Sequence, residues 1–284
     1  MTTSEPLVLR VHIDTQPDSV FKALTDADSL ADWFADSAEV SLDESRFEFW
    51  GRYAPQGDRP RQRLLAAEPP SILRYVWQFD EGESTVEVNL AAAEDATTVT
   101  VTHTGMPAAG TANATALRCF WHMSLANLEA HCEGLPTTPP FDFSVPAVDD
   151  AIVRTVIDAP VDEVFASLLD PGQVSRWSGG QASIEPSVGG RYDLGWDHGP
   201  DRIVELDPDR VLAYSWRHAG EPDTAVRWTL RGSRGSTFLT LIHSGFADDT
   251  LAERYRQGWP GVLVELKRMA EQGERWEPIL QPRL

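Results

Sequence analysis

Lysine is almost absent from this chain: Lys22 and Lys267 are the only two, and every other basic side chain is arginine. Basic residues total 24 against 44 Asp and Glu, leaving a formal net charge of −20. A surface of that sign repels phosphate backbones and anionic lipid, so nucleic acid and membrane are not expected partners. Two cysteines, Cys119 and Cys132, are too few for a disulfide framework or a thiolate zinc site. No apolar run approaches the ~20 residues needed to cross a bilayer. The stretch Met1 to Pro6 lacks the basic-then-apolar order of a signal peptide. These absences lead us to expect a cytoplasmic chain. The acidity speaks for solubility and habitat and identifies no reaction.

The chain does contain 42% hydrophobic residues over 284 positions, ordinary for a folded protein and enough for two domains at ~150 residues each. An internal repeat makes that count specific. RVHIDTQPDSVFKALTD at Arg10–Asp26 matches RTVIDAPVDEVFASLLD at Arg154–Asp170. Tyr75-Val76-Trp77 then matches Tyr214-Ser215-Trp216, and His103-Thr104-Gly105 matches His243-Ser244-Gly245. Trp121 with Leu125 and Leu128 matches Trp259 with Leu263 and Leu266. The offset drifts only from 144 to 138. We therefore expect one domain over 1–134, a Pro-rich linker over 135–147, a second domain over 148–275 and a tail over 276–284.

Each repeat has the same order of elements. A strand leads into a helix opening near Pro17 or Pro160, where proline suits the first turn. A second short helix ends at Trp33 or Trp177, a run of alternating segments follows, and a long helix closes the repeat, over about 111–133 and 248–272. Alternation assigns the faces. Tyr75, Trp77 and Phe79 share one side, as do Val86, Val88 and Leu90, and Val99, Val101 and His103. One face is apolar and aromatic and the other polar, so the helices must cover a single face of an antiparallel sheet.

The opening ID-x-x-x-x-x-VF, the tryptophan closing the second helix, Gly189-Gly190-Arg191-Tyr192, the YSW strand and the HSG turn before GW-x-x-x-L-x-x-L carry a resemblance. Together they are similar to the SRPBCC (START-like, Bet v 1-like) superfamily, and most of all to the family named for the activator of the heat-shock protein 90 ATPase. The first repeat departs from the pattern, with Asp43-Glu44-Ser45 in place of the Gly-Gly hairpin and Phe120-Trp121-His122 in place of Gly258-Trp259-Pro260. The resemblance implies an α+β fold of two tandem helix-grip domains. In each, a curved antiparallel sheet wraps a long C-terminal helix, with an apolar cavity between them. The superfamily holds binders, cyclases, hydrolase-like enzymes and chaperone activators, so fold does not fix function.

Few residues could carry chemistry. Cys119 and His122 sit at helical i, i+3 spacing with His131 and Cys132 further along, but no third ligand falls at motif spacing, so no metal is expected. No phosphate-cradling or dinucleotide motif is present, and no cofactor is expected. His103 and His243, each ending an inward strand pattern, are the candidates for acid–base work, with a structural role at the strand end as the plainer alternative. The inward aromatic residues are the candidate ligand contacts: Phe49, Tyr75, Trp77, Phe79 and Trp121 in the first repeat, and Tyr192, Trp196, Tyr214, Trp216, Trp228 and Trp259 in the second. Aromatic walls suit a flat or hydrophobic molecule. Trp33 and Trp177 read as plain core. The expected function is a non-enzymatic binding protein for a hydrophobic or aromatic small molecule. A cyclase- or hydrolase-like enzyme using a cavity histidine and a co-chaperone-like module with a protein partner are the alternatives, and the two cavities are expected to differ in size.

Overall fold

The computed structural model describes residues 5–79, 82–108, 111–196 and 201–279. They fall into two compact units that meet in sequence between Val145 and Pro146. The first unit runs β1 (Leu7–Ile13), α1 (Pro17–Thr25), α2 (Ala27–Trp33), β2 (Ser37–Ser41), β3 (Arg46–Trp50), β4 (Gln62–Glu68), β5 (Ile72–Phe79), β6 (Gly82–Ala93), β7 (Ala96–Thr104) and α3 (Ala112–Cys132). Its five-stranded sheet has the order β1-β7-β6-β5-β4, and β2 and β3 form a separate hairpin. The second unit repeats this as β8 (Ala151–Ile157), α4 (Val161–Leu169), α5 (Pro171–Ser178), β9 (Ser183–Ile184), β10 (Arg191–Asp193), β11 (Asp201–Asp207), β12 (Val211–Trp216), β13 (Thr224–Ser233), β14 (Ser236–Ser244) and α6 (Asp249–Gln272). Here all seven strands join one sheet, β8-β14-β13-β12-β11-β10-β9. Every pairing is antiparallel, so this is an α+β protein of two tandem helix-grip domains.

Local chemistry sets the corners. Asp26 ends α1 and starts α2, its carboxylate accepting from Ser29 N at 2.9 Å. Asp170 does the same between α4 and α5, accepting from Gln173 N at 2.8 Å. Each acceptor satisfies a backbone donor that a helix start leaves unpaired. Along β1 the side chains of Leu7, Leu9, Val11 and Ile13 are buried while Val8, Arg10 and His12 point outward. Among the described residues no helix is long and apolar enough to cross a membrane.

The hairpins differ for a local reason. In the second unit Gly189 takes φ +85° and Gly190 approaches the Glu185 carbonyl so closely that a Cβ would sit 2.3 Å from it. That tight turn joins β9 to β10, which pairs with both β9 and β11. In the first unit Leu42–Glu44 forms a 3-10 turn with Ser45 at φ 55°, and β2–β3 pairs only with itself in the sheet order. A second close approach lies where Gly180 meets Gly195, and a Cβ on Gly180 would stand 2.1 Å from the Leu194 carbonyl. Because the obstacle is backbone, Gly180→Ala is expected to destabilise the chain by about 2 kcal/mol or more. Urea unfolding would show this, whereas alanine at Gly57, where the Cβ would meet open space, isolates the smaller cost of its positive φ.

Candidate functional site

The inner face of each sheet carries one buried histidine, His103 in the first unit and His243 in the second. Trp121 on α3 donates from Nε1 to His103 Nδ1 at 3.0 Å, and Trp259 on α6 donates to His243 Nδ1 at 3.2 Å. On the other ring edge, His103 Nε2 lies 2.8 Å from Ser84 Oγ, and His243 Nε2 lies 2.8 Å from Thr224 Oγ1. Those hydroxyls donate to backbone carbonyls, Ser84 to Trp77 O at 2.8 Å and Thr224 to Trp216 O at 3.3 Å. An indole N–H can only donate and each hydroxyl proton is committed to a carbonyl. The imidazole is therefore neutral, with its proton on Nε2 donated to the hydroxyl. Burial lowers His103 to about 4 and His243 to about 3.

Neither candidate imidazole stands free for acid–base work. Both histidines are fully buried, both ring nitrogens are engaged, and neither lines a cavity described below. They tie the long helix to the sheet through three successive hydrogen bonds.

Behind this relay lies a wall of aromatic rings. In the first unit Trp77 stacks on His103 with centroids 5.8 Å apart, and Phe49, Phe120 and Trp121 pack around Trp77 at 5.0, 5.3 and 6.2 Å. A cavity remains between this sheet and α3, lined by Trp33, Phe34, Phe47, Leu73, Tyr75, Val88, Trp121 and Ser124 among others. Its volume is about 20 Å³, room for about one water before any side chain moves. Tyr75 lines this space, and burial pushes its hydroxyl well above the ordinary tyrosine range.

The second unit fills the equivalent space. Leu73 pairs with Val88 across β5–β6, and Leu212 pairs with Trp228 across β12–β13. Trp228 thus stands where the first unit has Val88. Its indole packs on Trp177 at 6.2 Å and Trp259 at 6.0 Å, and its Nε1 donates to the Tyr214 hydroxyl at 3.3 Å. Tyr192, Tyr214, Trp216, Trp228 and Trp259 all belong to one core cluster, with Trp196 packed against it. Trp216 Nε1 donates to Tyr255, whose hydroxyl donates to Glu221 at 2.7 Å. Leu117 occupies the position matching Tyr255, and Trp77 Nε1 is buried without a partner among the described residues.

Of the eleven aromatic residues assigned to ligand contact, Tyr75 and Trp121 line the inner cavity. Phe49, Trp77 and Phe79 are buried beside it. Trp33, read as plain core, and Phe34, Phe47 and Ser124 line it too; a tryptophan closing a short helix signals packing, and nothing in its spacing separates cavity wall from core. Cys119 is buried, His122 Nδ1 contacts Arg118 O at 2.7 Å, and His131 Nε2 contacts Ser29 Oγ at 2.9 Å. Among the described residues no three potential metal ligands converge.

Two sheets, each closed on one face by a long C-terminal helix held through the same relay, define a tandem helix-grip protein. The family described as Activator of Hsp90 ATPase homolog 1-like protein matches residues 14–133 and 158–271, and the chain belongs to that family. Among solved structures, CalU16 from Micromonospora echinospora is 29% identical, with the match covering 42% of this chain and 73% of that one at a TM-score of 0.39. The Aha1 dimer from Colwellia psychrerythraea is 19% identical over 45% of this chain and 99% of that one, TM-score 0.39. DynU16, from the dynemicin biosynthetic locus, is 20% identical over 94% of this chain and 99% of that one, TM-score 0.35. No curated protein matches the chain.

The relay has a pH signature. The unfolded chain protonates these histidines below about pH 6.5 and the folded chain does not. Their contribution is therefore neutral above that pH, and stability falls as pH drops toward 4, levelling off once the folded histidines also protonate. The loss is on the order of 3 kcal/mol per site. Urea unfolding at pH 6.5 and pH 4 should show a shallower decline in His103→Gln than in the parent; equal declines would mean that His103 already titrates normally in the folded state.

Proposed function

We propose that this chain is a small-molecule binding protein in which the first unit takes a hydrophobic or aromatic ligand and the second is a filled structural module. The observation that carries this reading is the exchange of Val88 for Trp228 between matching strand positions, opposite Leu73 in one unit and Leu212 in the other. The exchange removes the plug and also the hydrogen-bond donor to the buried tyrosine. The ligand supplies both: apolar surface against Leu73, Val88 and Trp121, worth about 25 cal/mol per Å² removed from water, and a hydroxyl or N–H that donates to the Tyr75 oxygen as Trp228 Nε1 donates to Tyr214. The site therefore favours a ligand with a hydroxyl or N–H over a pure hydrocarbon. Anything larger than a water requires the wall to open, and Phe34, whose neighbours are other rings at 4.8 to 5.0 Å, is the side chain whose rotation enlarges the space.

A second reading, a protein-contact module, has one observation in its favour. On the outer sheet face of the second unit, Val156 is paired with Phe238 and Ile152 with Ile242, and Val156 and Phe238 are 47% and 52% exposed. The matching pairs in the first unit are His12 with Thr98 and Val8 with Thr102. An exposed apolar patch is a contact surface, and the family description names a chaperone ATPase. Stimulation of Hsp90 ATP hydrolysis that disappears in Val156→His, Phe238→Thr would favour this reading over the first.

The binding reading is tested with the neutral fluorescent probe N-phenyl-1-naphthylamine. Val88→Trp should lower its affinity at least tenfold, and Trp228→Val should add a second site while costing about 3 kcal/mol of stability. Equal binding by the parent and Val88→Trp, or none by the parent, would overturn it.

A further inference from the structure

The stretch after α3 is not extended away from the first unit. Leu135 N donates to Ala130 O at 2.8 Å as the chain turns past Gly134. Thr138 is then clamped at both backbone groups by one side chain: Asn127 Nδ2 donates to Thr138 O at 2.8 Å, and Thr138 N donates to Asn127 Oδ1 at 2.9 Å. Phe143 N donates to Arg52 O at 2.8 Å. Between these pins the segment carries Pro136, Pro139 and Pro140, which have no N–H to give to a backbone ladder.

Beneath it lies a second, tighter space of about 10 Å³, lined by Trp33, Phe34, Phe120, Asn127, Phe141 and Phe143 among others. Trp33, Phe34 and Ser124 line both this outer chamber and the inner cavity. Phe34 stands between them at the end of α2, its ring 5.0 Å from Phe120 and 4.8 Å from Phe49. The second unit has Ser178 at the matching position, with its hydroxyl donating to Leu194 O, and Glu265 in place of Asn127, paired with Arg268. The clamp and the partition are features of the cavity-bearing unit.

We propose that residues 135–143 form a lid over the outer chamber. When the lid lifts, that chamber widens to take the planar aromatic end of the ligand, with Phe34 as the inner gate to the cavity. This rests on the binding role proposed for the first unit. Lids are drawn from segments with few backbone hydrogen bonds and low local stability, and here one side chain supplies two of the bonds that hold the lid down. Phe141 and Phe143, whose rings meet edge-to-face at 4.7 Å, give the chamber an aromatic roof suited to stacking on a flat group.

The test pairs kinetics with hydrogen exchange on the full chain. For N-phenyl-1-naphthylamine, Asn127→Ala should raise both association and dissociation rates about tenfold or more. Phe141→Ala, a change in the lid itself that spares the helix, should speed both rates and also weaken binding. Without any probe, the Thr138 and Phe143 amides should exchange far faster than those of β6 and β7, and faster still in Asn127→Ala. Unchanged rates in both variants with binding still lost in Val88→Trp would overturn the lid and leave the binding role standing. Lid amides that exchange only with global unfolding would overturn it whatever the probe does. Binding equal in parent and Val88→Trp would overturn the binding role, and with it the lid's purpose.

Discussion

Each long helix is fixed to its sheet by one buried chain of hydrogen bonds running from indole to imidazole to hydroxyl to carbonyl. Every donor and acceptor along it is used, which is the condition for burying a polar group without a large penalty. The relay sets how deep Trp121 and Trp259 sit and which turn of the helix faces the strand ends. With that distance set in both units, the space left between helix and sheet is decided by the side chains projecting from the strands. The histidine works here as a neutral spacer with two fixed ends. The chemistry that makes it a good general base elsewhere is consumed in holding the fold.

The two units therefore share a frame and differ in what fills it. Trp228 occupies the second interior and gives Tyr214 a donor, and Tyr255 gives Trp216 an acceptor. Val88 and Leu117 supply neither. The outer faces diverge in the opposite direction, threonine and histidine in the first unit against isoleucine, valine and phenylalanine in the second. Polar and apolar character has in effect been redistributed: the unit with the hollow interior has the plainer exterior, and the unit with the packed interior carries the apolar patch.

Much of this was legible in the amino-acid sequence. The repeat located both units because matched residues such as His103 and His243 recur at nearly constant offset. Strand alternation placed Tyr75, Trp77, Val86 and Val99 on the inner face, where all are buried. The role of the histidines was not legible, because their partners Ser84 and Thr224 lie 19 residues away on a neighbouring strand and only the sheet register brings them together. The cavity wall was legible in part. Periodicity tells which side chains point inward but not whether they meet, so Phe34 and Ser124 carried no signal. The segment over 135–147 has a linker's composition. Its docking depends on Asn127, a polar residue inside a helix with no spacing or motif to mark it.

The two halves are unequal in a further sense. The first lacks the contacts that Trp228 gives its counterpart, and under the binding role proposed for it a ligand there would add stability in proportion to the logarithm of its concentration over Kd. In a cell that degrades proteins through their transiently opened states, the abundance of such a chain would track the supply of its ligand. The vacancy beside Val88 would then act as a gauge as well as a site, with the survival of the whole polypeptide as its readout.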